Sequence, residues 1–278
     1  MAIYKTLFVF LCVLAFTLDN KVYGQPPMEI HISEKGNDRN TGTKEHPIKS
    51  IRKAQELVCP NSGKNEVHMI FADGIYYLPE TIFFNADDSG TEKYPVVFRA
   101  EHEGKAIISG GNELNLKWKS CKNGIFKSVV PNDVTIDQLY VNGQRQRMAR
   151  FPNAVADKNV FDVWDLVHSE KADPENDPLN PKQVSLWNHP EGAYIHAMHS
   201  ALWGDMHWIA KGKNADGSLD LEGGWQNNRP SPMHSRYRFA ENIFEELDAP
   251  GEWYYDDELR ILYYYPLPDI VLKDARIE

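Results

Sequence analysis

Residues 67–109 read VHMIFADGIYYLPETIFFNADDSGTEKYPVVFRAEHEGKAIIS. Five short β-prone runs lie inside this stretch: Val67 to Ala72, Ile75 to Leu78, Thr81 to Asn85, Pro95 to Ala100 and Ala106 to Ser109. Gly, Asn or Asp residues separate them, and no helical periodicity interrupts them. Strands this short do not easily build a sandwich. They suit the triangular coils of a parallel β-helix, in which each coil stacks on the next at about 4.8 Å. Upstream, Met28 to Ile32 alternates like a further strand, and Lys35 to Pro47 is a polar, turn-rich loop. Ser50 is placed to cap a helix with Ile51, Ala54, Leu57 and Val58 on one stripe, and Pro60 ends it. A solenoid must cover its first coil, because open strand edges recruit other chains, and this amphipathic helix fits that cap. A single helix among so many strands argues against a doubly wound α/β fold. Asn85 to Thr91 reads as an inter-strand loop, and Gly110-Gly111 marks the exit from the unit.

The rest of the chain differs in texture. Five of the seven tryptophans fall between Trp187 and Trp253. Thr135 to Ala149 reads as two strands about an Asn142-Gly143 turn, a strong hairpin signal. Asn180 followed by Pro181 starts a short helix. Tyr194 to Ala210 reads as strand, turn and strand around Gly204-Asp205, and Leu219 to Trp225 and Arg236 to Phe244 add strands. Trp253 to Tyr255 and Ile261 to Tyr265 flank an Asp256-Asp257-Glu258 turn. Ile270 to Ile277 resembles one more strand.

The ends and the charge bound the class. Lys5, the ten apolar residues Leu7 to Phe16 and the small exit at Val22-Tyr23-Gly24 form a secretory signal, cleaved to leave Gln25 first. The run is too short to span a bilayer, and no other long apolar stretch exists. The protein is therefore expected to be secreted or periplasmic. The expected domains are the signal peptide 1–24, β-helix coils with a capping helix over 25–111, a β-rich insertion over 112–268, and the start of a truncated coil strand over 269–278. The formal net charge of -10 argues against a nucleic-acid partner, which needs a basic footprint. Cys59 and Cys121 suffice for one disulfide, but spacing does not place their sulfurs at bonding distance; two small apolar side chains is the alternative.

No phosphate-cradling, dinucleotide, zincin or nucleophilic-serine motif occurs, and no cofactor is expected. His196, His199 and His207 are a conceivable zinc set. Residues three apart on a strand face opposite ways, so no metal site is assigned. Trp203, Asp205 and His207 share one face of an extended segment, with Trp208 adjacent. An aromatic plate beside a carboxylate and an imidazole suits a sugar ring, whose apolar face stacks while its hydroxyls bond. Gly223-Gly224-Trp225-Gln226-Asn227-Asn228-Arg229 offers the same chemistry, with planar amides and a guanidinium. The plain alternatives are core tryptophans at a tight turn and a loop that caps its own backbone. Carboxylates such as Asp87, Asp88, Glu245, Glu246, Glu252 and Asp256 abound, but glycoside hydrolysis needs two at a set separation that sequence does not give.

Ile32 to Asp38, Gly42-Thr43, Pro47, Asp88 to Thr91, Pro95-Val96 and Ile108 to Gly111 resemble the opening of secreted right-handed parallel β-helix proteins of the pectate-lyase type. Gly223 to Pro230, Arg238 to Asn242 and Glu245 to Tyr254 resemble the insertion domain of glycoside hydrolase family 141-like proteins. The resemblance runs from about Glu29 to Ile277. It implies a bacterial polysaccharide-degrading protein, in a family with α-L-fucosidase and xylanase activities whose active-site acids lie on later coils. The expectation is the N-terminal portion of such a protein, mostly β, without its catalytic coils and with a polysaccharide or oligosaccharide as ligand. A glycan-binding module without catalysis, or a structural piece, are the alternatives.

Overall fold

The computed structural model describes residues 26–154, 176–226 and 229–278; the expected signal peptide lies outside them. The chain is mostly β and divides into a first unit ending at Gly110 and a second running from Gly111 to Glu278.

In the first unit, β1 (Met28–Ile32), β2 (Val67–Phe71) and β4 (Val96–Ala100) form a parallel sheet in the order β1-β2-β4. Met28 pairs with Val67 and Val67 with Val96, and the register holds through Ile32, Phe71 and Ala100. A second parallel pair joins β3 (Gly74–Tyr77) to β5 (Ala106–Ser109). The chain thus repeats strand, corner, strand, with equivalent positions on top of one another. Side chains at Ile30, Ile32, Met69, Phe71 and Tyr76 make the core, closed by Ile51, Ala54 and Val58 of α1 (Ile51–Val58). The helix starts as expected: the Ser50 hydroxyl accepts from Lys53 N at 3.1 Å. Asp38 fixes the approach by accepting from Lys49 N and Ser50 N, both at 2.8 Å. Replacing Ser50 with Ala removes one cap bond, and urea titration should show a loss of about 1 kcal/mol.

The two edges of this stack differ. On the β1 side, His31 N donates to Gly42 O, Ser33 N to Ile48 O, and Ile48 N to His31 O. The loop from Gly42 to Ile48 thereby occupies the edge. No described strand pairs with the far edges of β4 and β5, where Phe83, Phe84, Phe98, Ile107 and Ile108 are exposed. Thr81 to Asn85, expected as a strand, is not one. Among the described residues nothing pairs with its backbone as a strand does, and its apolar Phe83 and Phe84 face outward.

Among the described residues the second unit holds two five-stranded sheets. One contains β6 (Lys119–Ser120), β7 (Phe126–Val129), β10 (Arg147–Met148), β18 (Glu252–Asp256) and β19 (Ile261–Tyr265), in the order β10-β18-β19-β7-β6. The other comprises β11 (Arg150–Phe151), β12 (Tyr194–His199), β13 (Asp205–Lys213), β14 (Leu219–Gly223) and β17 (Met233–Glu241). Its order is β11-β17-β12-β13-β14, and it is antiparallel throughout. Short hairpins β8-β9 (Tyr140–Val141, Gln144–Arg145) and β15-β16 (Trp225–Gln226, Arg229–Pro230) complete the unit. Asn142 and Gly143 take positive φ of 52° and 77°, as a two-residue hairpin turn requires. Helix α2 (Pro181–Leu186) starts at Asn180, whose side chain accepts from Lys182 N.

Along β13, Asp205, His207, Ile209 and Lys211 face out while Trp208, Ala210 and Gly212 are buried. Small inward residues at Ala193, Ala197, Ala210 and Ala240 leave room for the rings of Trp187 and Trp208. A second core gathers Leu139, Val141, Trp253, Leu262, Tyr264 and Ile277. Residues 270–276 form no strand, contrary to expectation, and turn at 272–274. Ile277 makes one antiparallel bridge to Val141, and Tyr140 and Glu278 exchange backbone hydrogen bonds at 2.8 and 2.9 Å. Burial of Ile277 among apolar neighbours fixes this tail. Cys59 and Cys121 are free thiols, unpaired as the alternative has it, and both are exposed.

Candidate functional site

The hairpin of β12 and β13 carries most of the site. Its register sets His196 opposite His207 and Met198 opposite Asp205. Backbone hydrogen bonds link Ala210 N to Ala193 O and His199 N to Gly204 O. Counting inward by alternation, His196 and His207 form a close pair without such bonds, the kind with Cα atoms about 4.5 Å apart. Their rings meet edge to face at 4.6 Å, with the two Nδ1 atoms 2.8 Å apart. Asp205 lies two residues from His207, hence on the same face. His196, Asp205 and His207 each present a ligand atom within 4.8 Å of the others.

Behind His196 stands a charged support. Its Nε2 lies 3.2 Å from Glu241 Oε2, and its ring stacks on Phe239 at 4.6 Å. The Arg150 guanidinium sits 3.9 Å from the same Phe239 centroid, with Nη1 3.9 Å from Glu241 Oε1. Arg150 Nε donates to Pro152 O, whereas its buried Nη2 has no hydrogen-bond partner among the described residues. Burial acts to raise the Glu241 carboxyl. The hydrogen bond and charge of His196, with Arg150 and Arg145, outweigh burial and hold it below its ordinary value. Burial pulls Arg150 down from its ordinary value, against the pull of Glu241. Asp205 is pushed up by burial despite the nearby His207 and His196.

His196, His207, Glu241 and Arg150 line a cleft of about 560 Å³ together with Arg145 and Arg147. Three guanidiniums and two carboxylates, Asp137 and Glu241, share this cleft. A second cleft of about 850 Å³ shares Met148, Tyr194 and Trp253 with the first. Glu191, Glu245, Tyr254 and Tyr263 line it, the two tyrosines packing against Phe244. Aromatic faces beside carboxylates and guanidiniums can hold the apolar face and the hydroxyls of a sugar. Glu241 is committed to His196 and Arg150, which suits a fixed anion and not a proton donor.

The residues singled out in the sequence are scattered. Trp203 sits in the turn before β13, 69% exposed, and stacks on His199 at 4.7 Å; only Asp205 and His207 share the strand face. Trp225 is 63% exposed on β15, and Arg229 is exposed opposite Gln226. Ser200 N to Pro232 O and Ser231 N to Gly224 O tie these two exposed tryptophans to the same end of the sheet. Trp208 corrects the expectation of a third stacking plate. It is 7% exposed and its ring covers Gly224, because one step along a strand from His207 lies the opposite face. Asn227 and Asn228 lie outside the described residues. His199 faces away from His196, as its spacing implies, yet strand spacing gives no hint that His196 pairs with His207 and Asp205. Sequence reasoning also misses Arg150 and Glu241. The signal for the histidine pair is the tight turn at 200–204, which sets the register of the strands around it.

No protein-family model matches the sequence, and no curated protein sequence matches it. A solved structure described as "Glycoside hydrolase" superposes with a TM-score of 0.71 at 24% identity, over 90% of this chain and 45% of that one. This chain therefore has a glycoside hydrolase-like fold and spans about half the length of that neighbour. Another structure, "The complex structure of XylC with xylose", reaches a TM-score of 0.37 at 13% identity, over 90% of this chain and 31% of that one.

Proposed function

We propose that this chain is the carbohydrate-binding N-terminal portion of an exported glycoside hydrolase-like protein acting on polysaccharide. In this reading its first unit forms the opening coils of a right-handed parallel β-helix, and its second unit is the β-rich insertion. The observation that carries the reading is the extent of the fold likeness, 90% of this chain at a TM-score of 0.71. The in-register stacking of β1 on β2 on β4, and of β3 on β5, supports coils. The exposed pair Trp203 and Trp225 and, separately, the clefts lined by tyrosine, carboxylate and guanidinium support sugar binding. The ion-paired state of Glu241 favours binding over turnover by this portion.

Affinity electrophoresis in gels carrying xylan or other plant polysaccharides tests the binding. Retardation is expected, and Trp225→Ala or Trp203→Ala should each weaken it by roughly 5- to 10-fold, the worth of one stacked ring. Unchanged mobility in every gel sinks the proposal. Assay on aryl fucosides and xylan should show negligible turnover; robust turnover abolished by one carboxylate substitution would replace the binding reading with an enzymatic one.

A further inference from the structure

We propose that His196, His207 and Asp205 together bind one divalent cation of the zinc class beside the 560 Å³ cleft. Two imidazole nitrogens 2.8 Å apart need something between them, either a shared proton or a cation. His196 donates Nε2–H toward Glu241, which leaves its Nδ1 with a free lone pair aimed at His207. With His196 neutral and His207 carrying its proton on Nε2, both Nδ1 atoms are ligands. Tetrahedral zinc at about 2.05 Å from each nitrogen spaces them about 3.3 Å apart, so the rings need to part by roughly half an ångström. The Asp205 carboxylate, on the same strand face with Oδ2 3.8 Å from His207 Nε2, is the third ligand, its atom within 4.8 Å of those of both histidines.

The support around the ligands argues for a built site. A ligating histidine whose other ring nitrogen meets a carboxylate is the usual arrangement in zinc proteins. Here Glu241 holds His196, Phe239 stacks on its ring, and Arg150 holds Glu241 in turn. All three ligands sit on one hairpin of fixed register, so little ordering accompanies binding. Two imidazoles and one carboxylate select a borderline transition cation over Ca²⁺ or Mg²⁺, which require oxygen ligands. Three protein ligands leave a fourth position for a water or a sugar oxygen.

The test titrates ZnCl₂ into the tag-free full chain after chelator dialysis, by calorimetry, with MgCl₂ and CaCl₂ as parallel arms. One zinc per chain is expected, with no saturable heat from the other two ions. Co²⁺ should give visible d–d bands that an excess of zinc abolishes. His207→Ala and Asp205→Asn, both at exposed side chains, should keep the folded circular dichroism spectrum and weaken zinc binding about 100-fold or more. Glu241→Gln should weaken it about 10- to 100-fold through the orientation of His196. His199→Ala should leave zinc affinity unchanged. The proposal is overturned by no saturable site up to roughly 100 µM zinc, by equal affinity for Ca²⁺, or by zinc binding that survives His207→Ala.

Discussion

Trp187→Ala is expected to cost the second unit about 3–5 kcal/mol, the range for removing a buried Trp side chain. Thermal unfolding should drop by about 10 °C. Trp187 is fully buried directly after α2, among Val184, Ala193, Ile195 and Ala240. Its loss leaves a cavity that the sheet cannot follow inward. The indole also has a polar role, since its Nε1–H donates to Glu246 Oε1, and Gln183 Nε2 donates to the same oxygen at 2.6 Å. Glu246 is buried, and burial raises its carboxyl above the ordinary value. Trp187→Phe keeps most of the packing but removes that donor, so it should cost about 1–3 kcal/mol. Adding Glu246→Gln to the Phe variant should recover part of the loss. A Trp187→Ala protein within about 1 kcal/mol of the parent in urea would refute this account of the core.

The second large effect is a dependence on pH. Burial pushes Glu252 up from 4.5 to about 7, even though Asp248 N and Ala249 N donate to its Oε2 and Arg150 lies near. The folded protein keeps this proton up to pH about 7, whereas the unfolded chain releases it near 4.5. Between those values the folded state binds more protons, so stability falls as pH rises. The full contribution is present below pH 4.5 and is lost above pH 7, with a size on the order of 3 kcal/mol. In Glu252→Gln the amide oxygen still accepts from the two backbone groups and carries no charge to bury. That variant should exceed the parent by up to about 3 kcal/mol at about pH 8 and match it near pH 4.5. Urea titrations at the two pH values measure the difference, and parallel slopes for both proteins would show that Glu252 is not the titrating group.

Local chemistry is the most legible part of this sequence. Ser50, the Asn142-Gly143 turn and Asn180-Pro181 each specify backbone geometry through their own side chains or permitted dihedrals, and each structure element starts where they indicate. Thr81 to Asn85 misleads because β-propensity describes a segment and not its neighbour; without a partner, Phe83 and Phe84 remain outside. Trp208 misleads for the opposite reason. Alternation alone places it behind His207, and its setting as an aromatic beside polar residues hides that. The histidine pair and the Glu241–Arg150 support depend on strands brought together across β11, β17, β12 and β13. Only the first of these contacts has a local turn to set it. Arg150 and Glu241 are 91 residues apart and meet because β11 pairs with β17, with Arg150 opposite Glu241.

The asymmetry of the first unit has a material consequence. A loop has passivated the β1 side of the stack, while among the described residues no strand pairs with the outer side of β4 or β5, next to the exposed Phe98, Ile107 and Ile108. Growth of such a stack is polar: an extended segment with matching alternation can template on one side and not on the other. Expressed by itself, the unit should be adhesive in one direction, and a lysine placed at Phe98 should blunt that adhesion without touching the sealed side.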